Sequence, residues 1–390
     1  MLRFAPKLDS DLTLSNLRVA ILNYLVAKQN DDRFILRFAD IDSDKIIEGK
    51  DSEIIQIFEK FAIKDDLRYH QQERQSIHQK LALGLLESNK AYICVCDDST
   101  KECQCQNLDK KSLQEIKESK KPFVIKLNSD EFKDIVILDN NAKPTYNFAM
   151  ACDDMLDDID TIITTKDQTK EYLIQQVIKK LLGFQKETTT YFIPSIDTKI
   201  SLEYLLKEGF IPDAIINYLL LLGYKDAKSD IFTLPEAIKW YDIAKIDDDN
   251  QFNINRLKEI NRQHLINIDD KELSRVFGFA DSDIGKLAKL YLNECSTIDE
   301  LDKKIKPIFK PKDFDNDYAD EMKIAQDVIF NAPMIDSYGE LKEYILANST
   351  LNADNLDVVL SLLMTNQKND LTNLDKIYDC IKTYILEVIS

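Results

Sequence analysis

At 390 residues and 44% apolar composition, the chain has material for two or three domains, each with its own core. Lys and Arg number 51 against 69 Asp and Glu, and the net charge of -18 repels a phosphate backbone unless basic side chains cluster locally. No run of 18 apolar residues offers a membrane span, so neither a membrane nor DNA is an expected partner.

The first elements alternate between strand and helix. Leu2–Phe4 reads as a short strand, and residues 12–27 place apolar side chains at helical spacing. A second strand follows at Phe34–Phe38, then helical patterns over 53–61 and 76–86. His70 and His78 fall in the polar stretch YHQQERQSIHQ, eight residues apart on one helix face, and read as surface histidines. A strand at 91–96 runs into a cysteine cluster, and 123–127 and 135–138 are two further strands with a polar turn between them. This block interrupts an α/β alternation that resumes at Tyr146, the pattern of a doubly wound sheet carrying an insertion. From Leu202 onward the chain is nearly all helical, with helices over 205–210, 212–222 and 234–240 and stop signals at Gly209 and Gly223. The stretch KPIFKPKDFDND, 306–317, has two prolines and mixed charge and reads as a linker or loop between helical subdomains. A last helix is expected over 374–386.

Four of the seven cysteines, Cys94, Cys96, Cys103 and Cys105, lie within twelve residues as C-x-C…C-x-C. Tetrahedral Zn²⁺ takes four thiolates at such spacing, so a structural zinc is expected, the other reading being four reduced cysteines. Cys152, Cys295 and Cys380 are isolated in apolar or helical contexts and read as small buried residues. The N-terminus carries Arg3, Lys7, Asp9 and Asp11 and lacks the apolar stretch of a signal peptide, which makes a cytoplasmic location the expectation.

The opening RFAPKLDSDLTLSNLRVAILNYL resembles the start of the bacterial glutamyl-tRNA synthetases, which are class I aminoacyl-tRNA synthetases. Arg37-Phe38-Ala39-Asp40-Ile41-Asp42, Ile47-Glu48-Gly49, Pro144-Thr145-Tyr146-Asn147-Phe148-Ala149 and Asp153-Asp154-Met155 continue the likeness. So do Glu208 to Ala214, Asn217-Tyr218-Leu219, Trp240-Tyr241-Asp242 and Ile260 to His264. The resemblance implies an α/β Rossmann-type catalytic domain with an inserted domain, followed by an all-α C-terminal region. Its expected divisions are 1–90 with 146–200 (Rossmann-like), 91–145 (acceptor-arm-type insertion with the cysteines), 201–265 (stem-contact-like) and 266–390 (anticodon-binding-like). The family often carries a metal site in that insertion, with a longer gap between ligand pairs.

Against this likeness stand the departures. The family's His-containing signature, which meets ATP phosphates, falls here on Thr13, Leu14, Ser15 and Asn16. No imidazole precedes His70. The family's Lys-Met-Ser-Lys-Arg loop falls on Lys199, Ile200, Ser201, Leu202 and Glu203, so a leucine and a glutamate stand where phosphate-binding cations belong. Its Arg-Gly-Glu-Asp-His reads Thr164-Thr165-Lys166-Asp167-Gln168. Arg3 and Tyr146 remain of the amino-acid pocket, either as residual ligands or as packing. The run Asp247-Asp248-Asp249 replaces a Ser/Lys-rich loop and either weakens tRNA binding or is a solvated loop without a role. The expectation is a degenerate paralogue without catalytic residues, with ATP use not expected, a protein partner expected and tRNA binding weak. The alternatives are a tRNA-binding protein without activation chemistry, or a residual glutamate–tRNA ligase with an altered ATP site.

Overall fold

The structure, a computed structural model, describes residues 1–96, 105–107, 118, 121–368, 371 and 373–390. Its contacts group the chain into two units, 1–202 with 216–252, and 203–215 with 253–390.

The first unit is built around parallel strands. β1 (Leu2–Phe4), β2 (Phe34–Phe38) and β3 (Leu67–His70) pair in parallel in that order. Helix α1 (Leu14–Gln29) connects β1 to β2, and α2 (Lys50–Lys60) connects β2 to β3. All five residues of β2 are buried, which a strand covered on both faces requires. α1 begins two residues later than its apolar spacing suggests, because the Thr13 hydroxyl accepts from Asn16 N and fixes the helix start. α2 begins after Gly49, whose φ of +78° is the left-handed turn that a glycine takes most easily.

After α3 (Gln75–Glu87) the chain leaves the parallel sheet for an antiparallel one, β4 (Ala91–Cys94), β5 (Val124–Leu127) and β6 (Val136–Leu138). It returns through α4 (Tyr146–Leu156), β7 (Thr161–Thr165), α5 (Thr169–Leu182) and β8 (Thr189–Ile193), with β7 and β8 parallel. Residues of α3, α4, α5 and the antiparallel sheet share one apolar core that includes Ile137, Phe148, Cys152 and Ile178. β7 runs beside β1, where Asp160 N donates to Met1 O at 3.3 Å. The two hydrogen-bonded groups, β3-β2-β1 and β7-β8, thus meet with β1 beside β7. Successive strands step outward from β1 in one direction and then resume on its other side. Such a reversal opens a crevice at the strand ends.

The second unit is helical. Within it lie α6 (Leu202–Lys207, entered from the first unit), α9 (Ile254–Asn267), α10 (Asp270–Val276), α11 (Asp283–Leu290), α12 (Ile298–Ile305), α13 (Ala319–Phe330), α14 (Tyr338–Ala347), α15 (Ala353–Thr365), α16 (Leu374–Ile381) and α17 (Ile385–Val388). The chain passes between units within α7 (Pro212–Leu221), and α8 (Leu234–Trp240) belongs to the first. One continuous core joins Leu287, Leu301, Met322, Leu360 and Ile377. α10 and α11 cross so closely that a Cβ on Gly285 would lie 1.9 Å from Asp270 O.

Three local expectations differ from the structure. The 306–317 stretch is a loop between two helices, as one of its two readings has it, but it is no free linker: Lys306–Phe309 is a short 3₁₀ turn, Ile308 is fully buried in the helical core, and Phe309 and Phe314 pack against that core. The last helix is broken, with a 3₁₀ turn at Lys382–Tyr384 between α16 and α17. His78 is a core residue of α3 with no exposed surface, and His70 ends β3 rather than lying on a helix. Cys152, Cys295 and Cys380 are buried as expected.

Candidate functional site

The ends of β1 and β7 line a cleft of about 350 Å³, together with residues 7–12 and the first turns of α5. It lies where the strand order reverses, the usual ligand position in an open α/β sheet. Arg3, Lys7, Asp9, Asp11, Asn16, Tyr146, Thr164, Asp167, Gln168, Glu171 and Gln175 are among its polar walls.

Its floor is a buried ion network that holds the strands to α4. Arg3 is almost fully buried and grips Asp154 with two bonds, from Nε at 3.1 Å and Nη2 at 3.2 Å. Arg37 lies inside β2 and donates to Asp154 at 2.7 Å and to Asp157 at 2.8 Å. Tyr69 and Arg74 also bond Asp157, at 2.6 and 2.7 Å, while Asp153 takes Gln71 and His78, each at 2.9 Å. Burial by itself would raise the Asp154 carboxyl, but the charges of Arg3 and Arg37 override it and hold the group well below the ordinary carboxylate range. Burial would likewise strip the Arg37 proton, and the carboxylate of Asp154 holds it instead, so its guanidinium is fixed as a cation. Lys179, one helical turn beyond Gln175, is buried with no hydrogen-bond partner for Nζ among the described residues. Burial lowers its pKa against the pull of Asp154.

Arg3 and Tyr146 thus stand together at the cleft, as a shared pocket requires, but both donor positions of Arg3 named above are occupied by Asp154. Tyr146 has the Lys7 ammonium 4.6 Å above its ring, and burial raises its phenol. Among the described residues, Lys7 is the one cation besides Arg3 that lines the cleft, against the carboxylates of Asp9, Asp11, Asp167 and Glu171, and Asp11 is paired with Lys50 at 2.6 Å.

Beside the cleft, the loops at the helix α1 start and after β8 meet. Ser15 Oγ accepts from Ile196 N at 2.7 Å and donates to Ile196 O at 3.4 Å. Ser195 Oγ donates to Asp167, Asn250 Nδ2 donates to Ser195 O, and Lys166 pairs with Asp248. Thr13 serves as the cap of α1, and Leu14 is buried under it. Asn16 faces the cleft. Farther along the same loop Lys199 is exposed, Ile200 N bonds the Thr198 hydroxyl at 3.1 Å, Ser201 is exposed and Leu202 is buried at the start of α6. Lys199 does not line the cleft. The structure therefore brings Ser15 to the strand-8 loop and leaves Lys199 apart.

Of the cysteine cluster, Cys94, Cys96 and Cys105 place their Sγ atoms within 4.8 Å of one another, and Cys96 and Cys105 are 3.4 Å apart. Sulfurs on a tetrahedral zinc at about 2.3 Å lie roughly 3.7 Å apart, so this set fits three corners of such a site. Cys103 lies outside the described residues.

The buried network was not anticipated from sequence. Its signal was available: Arg37 stands inside the strand FILRF, and two consecutive aspartates end the apolar run NFAMAC. Charges in stretches that must be buried require partners.

Strand order, reversal-point cleft and inserted antiparallel sheet define a Rossmann-type α/β protein with a helical C-terminal region, the architecture of a class I aminoacyl-tRNA synthetase. A glutamate tRNA ligase structure from Elizabethkingia meningosepticum, in complex with its amino acid, shares this fold with a TM-score of 0.78 at 19% identity, covering 99% of this chain and 97% of that one. Glutamate-tRNA synthetase from Elizabethkingia anophelis is comparable at 0.77, with 99% and 98% covered. The family described as tRNA synthetases class I (E and Q), catalytic domain, matches residues 1–123 and 109–259. Over its full length and that of the relative, the chain is 43% identical to glutamate–tRNA ligase 2 of a Sulfurovum species, and 34% identical to glutamate–tRNA ligase 2 of Sulfurimonas denitrificans. The chain belongs to the class I glutamyl-tRNA synthetase family. The Sulfurovum alignment spans 430 positions, 40 more than this chain has residues, so at least that many face gaps here.

Proposed function

We propose that this chain is a pseudoenzyme of its family: it does not activate glutamate and acts as a binding or regulatory module in the cytoplasm. The observation that carries this reading is the use made of the phosphate-clamp positions. Ser15 stands within the stretch that matches the histidine signature, and its hydroxyl is bonded to the backbone of Ile196. Leu202, at the second-lysine position, is spent on packing. Activation of an amino acid needs cations and hydrogen-bond donors aimed at ATP phosphates as charge builds. Here the nearby cation Lys166 is paired with Asp248, and the adjoining cleft is dominated by carboxylates, which repel phosphate.

Retention of the fold without this chemistry favours a binding role. A surface of net charge -18 suits a protein partner bearing basic groups and makes tRNA binding weak. On this reading the four-part division of the chain stands, with the inserted, stem-contact-like and anticodon-binding-like parts kept as surfaces. Cys94, Cys96 and Cys105, with Cys103, would hold a structural zinc, which would fix the insertion and supply no catalysis.

A second reading, a residual ligase with an altered ATP site, is favoured by one observation: the cleft at Arg3 and Tyr146 remains open at about 350 Å³. ATP–pyrophosphate exchange with glutamate and tRNA separates the two. The pseudoenzyme predicts no exchange above background, and clear turnover removes it.

A further inference from the structure

We infer that the acidic loop at 246–250 is a salt-releasable strap that ties together the loops after β7 and β8, beside the open cleft. The inference rests on the proposed function only in assigning those loops to the nucleotide half of the crevice.

The base of the strap is firmly built. Tyr224 and Ile246 form an antiparallel bridge, and Asp247 N donates to Gly223 O at 2.9 Å. Gly223 has φ of +71°, and a Cβ there would lie 2.7 Å from Asp247 O, so the loop lies directly on this turn. Lys225 pairs with the Asp247 carboxylate at 2.5 Å, and the same carboxylate accepts from Asp249 N at 3.0 Å.

The tip reaches across to two other loops. The Asp248 carboxylate pairs with Lys166, next to the end of β7, and Asn250 donates to the carbonyl of Ser195, next to the end of β8. Ser195 in turn donates to Asp167, and its neighbour Ile196 holds Ser15 at the start of α1. The strap thereby adds a second tie between the loops after β7 and β8, and the latter loop holds the start of α1. An acidic side chain at the tip places a carboxylate beside Lys166, where an anionic group of a ligand would otherwise pair.

The tip contacts are of a releasable kind. Asp248 is 76% exposed and Lys166 50% exposed, so their pairing is screened by salt, whereas the base is held mainly by backbone. The latch should therefore open by release of its tip while the base stays in place.

Amide hydrogen exchange on the full chain tests this, comparing wild type with Asp248→Ala/Asn250→Ala. Exchange at 166–168 and 195–198 should quicken at least about tenfold in the variant, while strand Thr189–Ile193 keeps its protection. In wild type, raising salt from about 50 to about 500 mM should quicken the same two segments, and the variant should show no such response. Equal exchange in wild type and variant overturns the strap. Should the variant lose its fold, the wild-type salt response decides alone, and its absence overturns the strap equally. ATP–pyrophosphate exchange by wild type would overturn the proposed function without touching the latch. Unchanged amide protection would remove the latch and leave that function standing.

Discussion

Asp154 is the hinge of the buried ion network, because among the described residues it alone bonds both Arg3 and Arg37. Asp154→Asn keeps the shape and removes the charge, leaving two buried guanidinium groups poorly matched. The cost expected is about 3–5 kcal/mol, read from urea unfolding at neutral pH. The pH dependence has a definite sign. The folded-state pKa of Asp154 is depressed below the unfolded value of about 3.9, so its contribution is complete above that pH and is lost as pH falls through the folded value. Stability attributable to this residue should be flat from pH 5 to 8 and decline on acidification below about 4, and the Asn variant should lack that part of the decline. This network explains why Arg3 and the Asp153-Asp154 pair match family positions even if no substrate is bound. Removing Asp154 takes from the buried Arg3 guanidinium the carboxylate that it grips.

At the scale of elements, tight packing within the helical unit makes its own prediction. Gly285→Ala would drive a methyl group into Asp270 O and break the crossing of α10 and α11, a loss at the upper end of about 1–3 kcal/mol for overpacking. Thermal unfolding of the variant checks it. Thr233→Ala should cost only about 1 kcal/mol, since it removes the hydroxyl of one capping box that opens α8. Strands such as Phe34–Phe38 were legible because a short apolar run bounded by polar residues has few other readings. The start of α1 was displaced because a cap, Thr13, and not the apolar spacing, decides it, whereas α8 starts at Leu234 as expected. His78 was misread because its partner, Asp153, lies 75 residues away and no local pattern announces it. The 306–317 stretch was legible as a loop, but its prolines and charges do not reveal that Ile308 is in the core and Phe309 packed against it. Of the candidate site, the changed signature positions could be located from sequence. The bond of Ser15 to the backbone of Ile196 could not, since it depends on two loops 181 residues apart.

At the scale of the whole molecule, the chain has the fold of its synthetase family, and the proposed loss of activation chemistry is what remains to be measured. The zinc expected at the insertion should appear as about one ion per chain in the purified protein, and Cys105→Ser should lower that content together with the thermal stability of the first unit. A gel shift with tRNA should show weak binding that disappears at moderate salt, in keeping with a net charge of -18. The central claim concerns chemistry, and the direct test is ATP–pyrophosphate exchange by the full zinc-loaded chain in the presence of glutamate and tRNA. The account predicts exchange indistinguishable from a blank at any enzyme concentration. Exchange that rises in proportion to enzyme and depends on glutamate would contradict it.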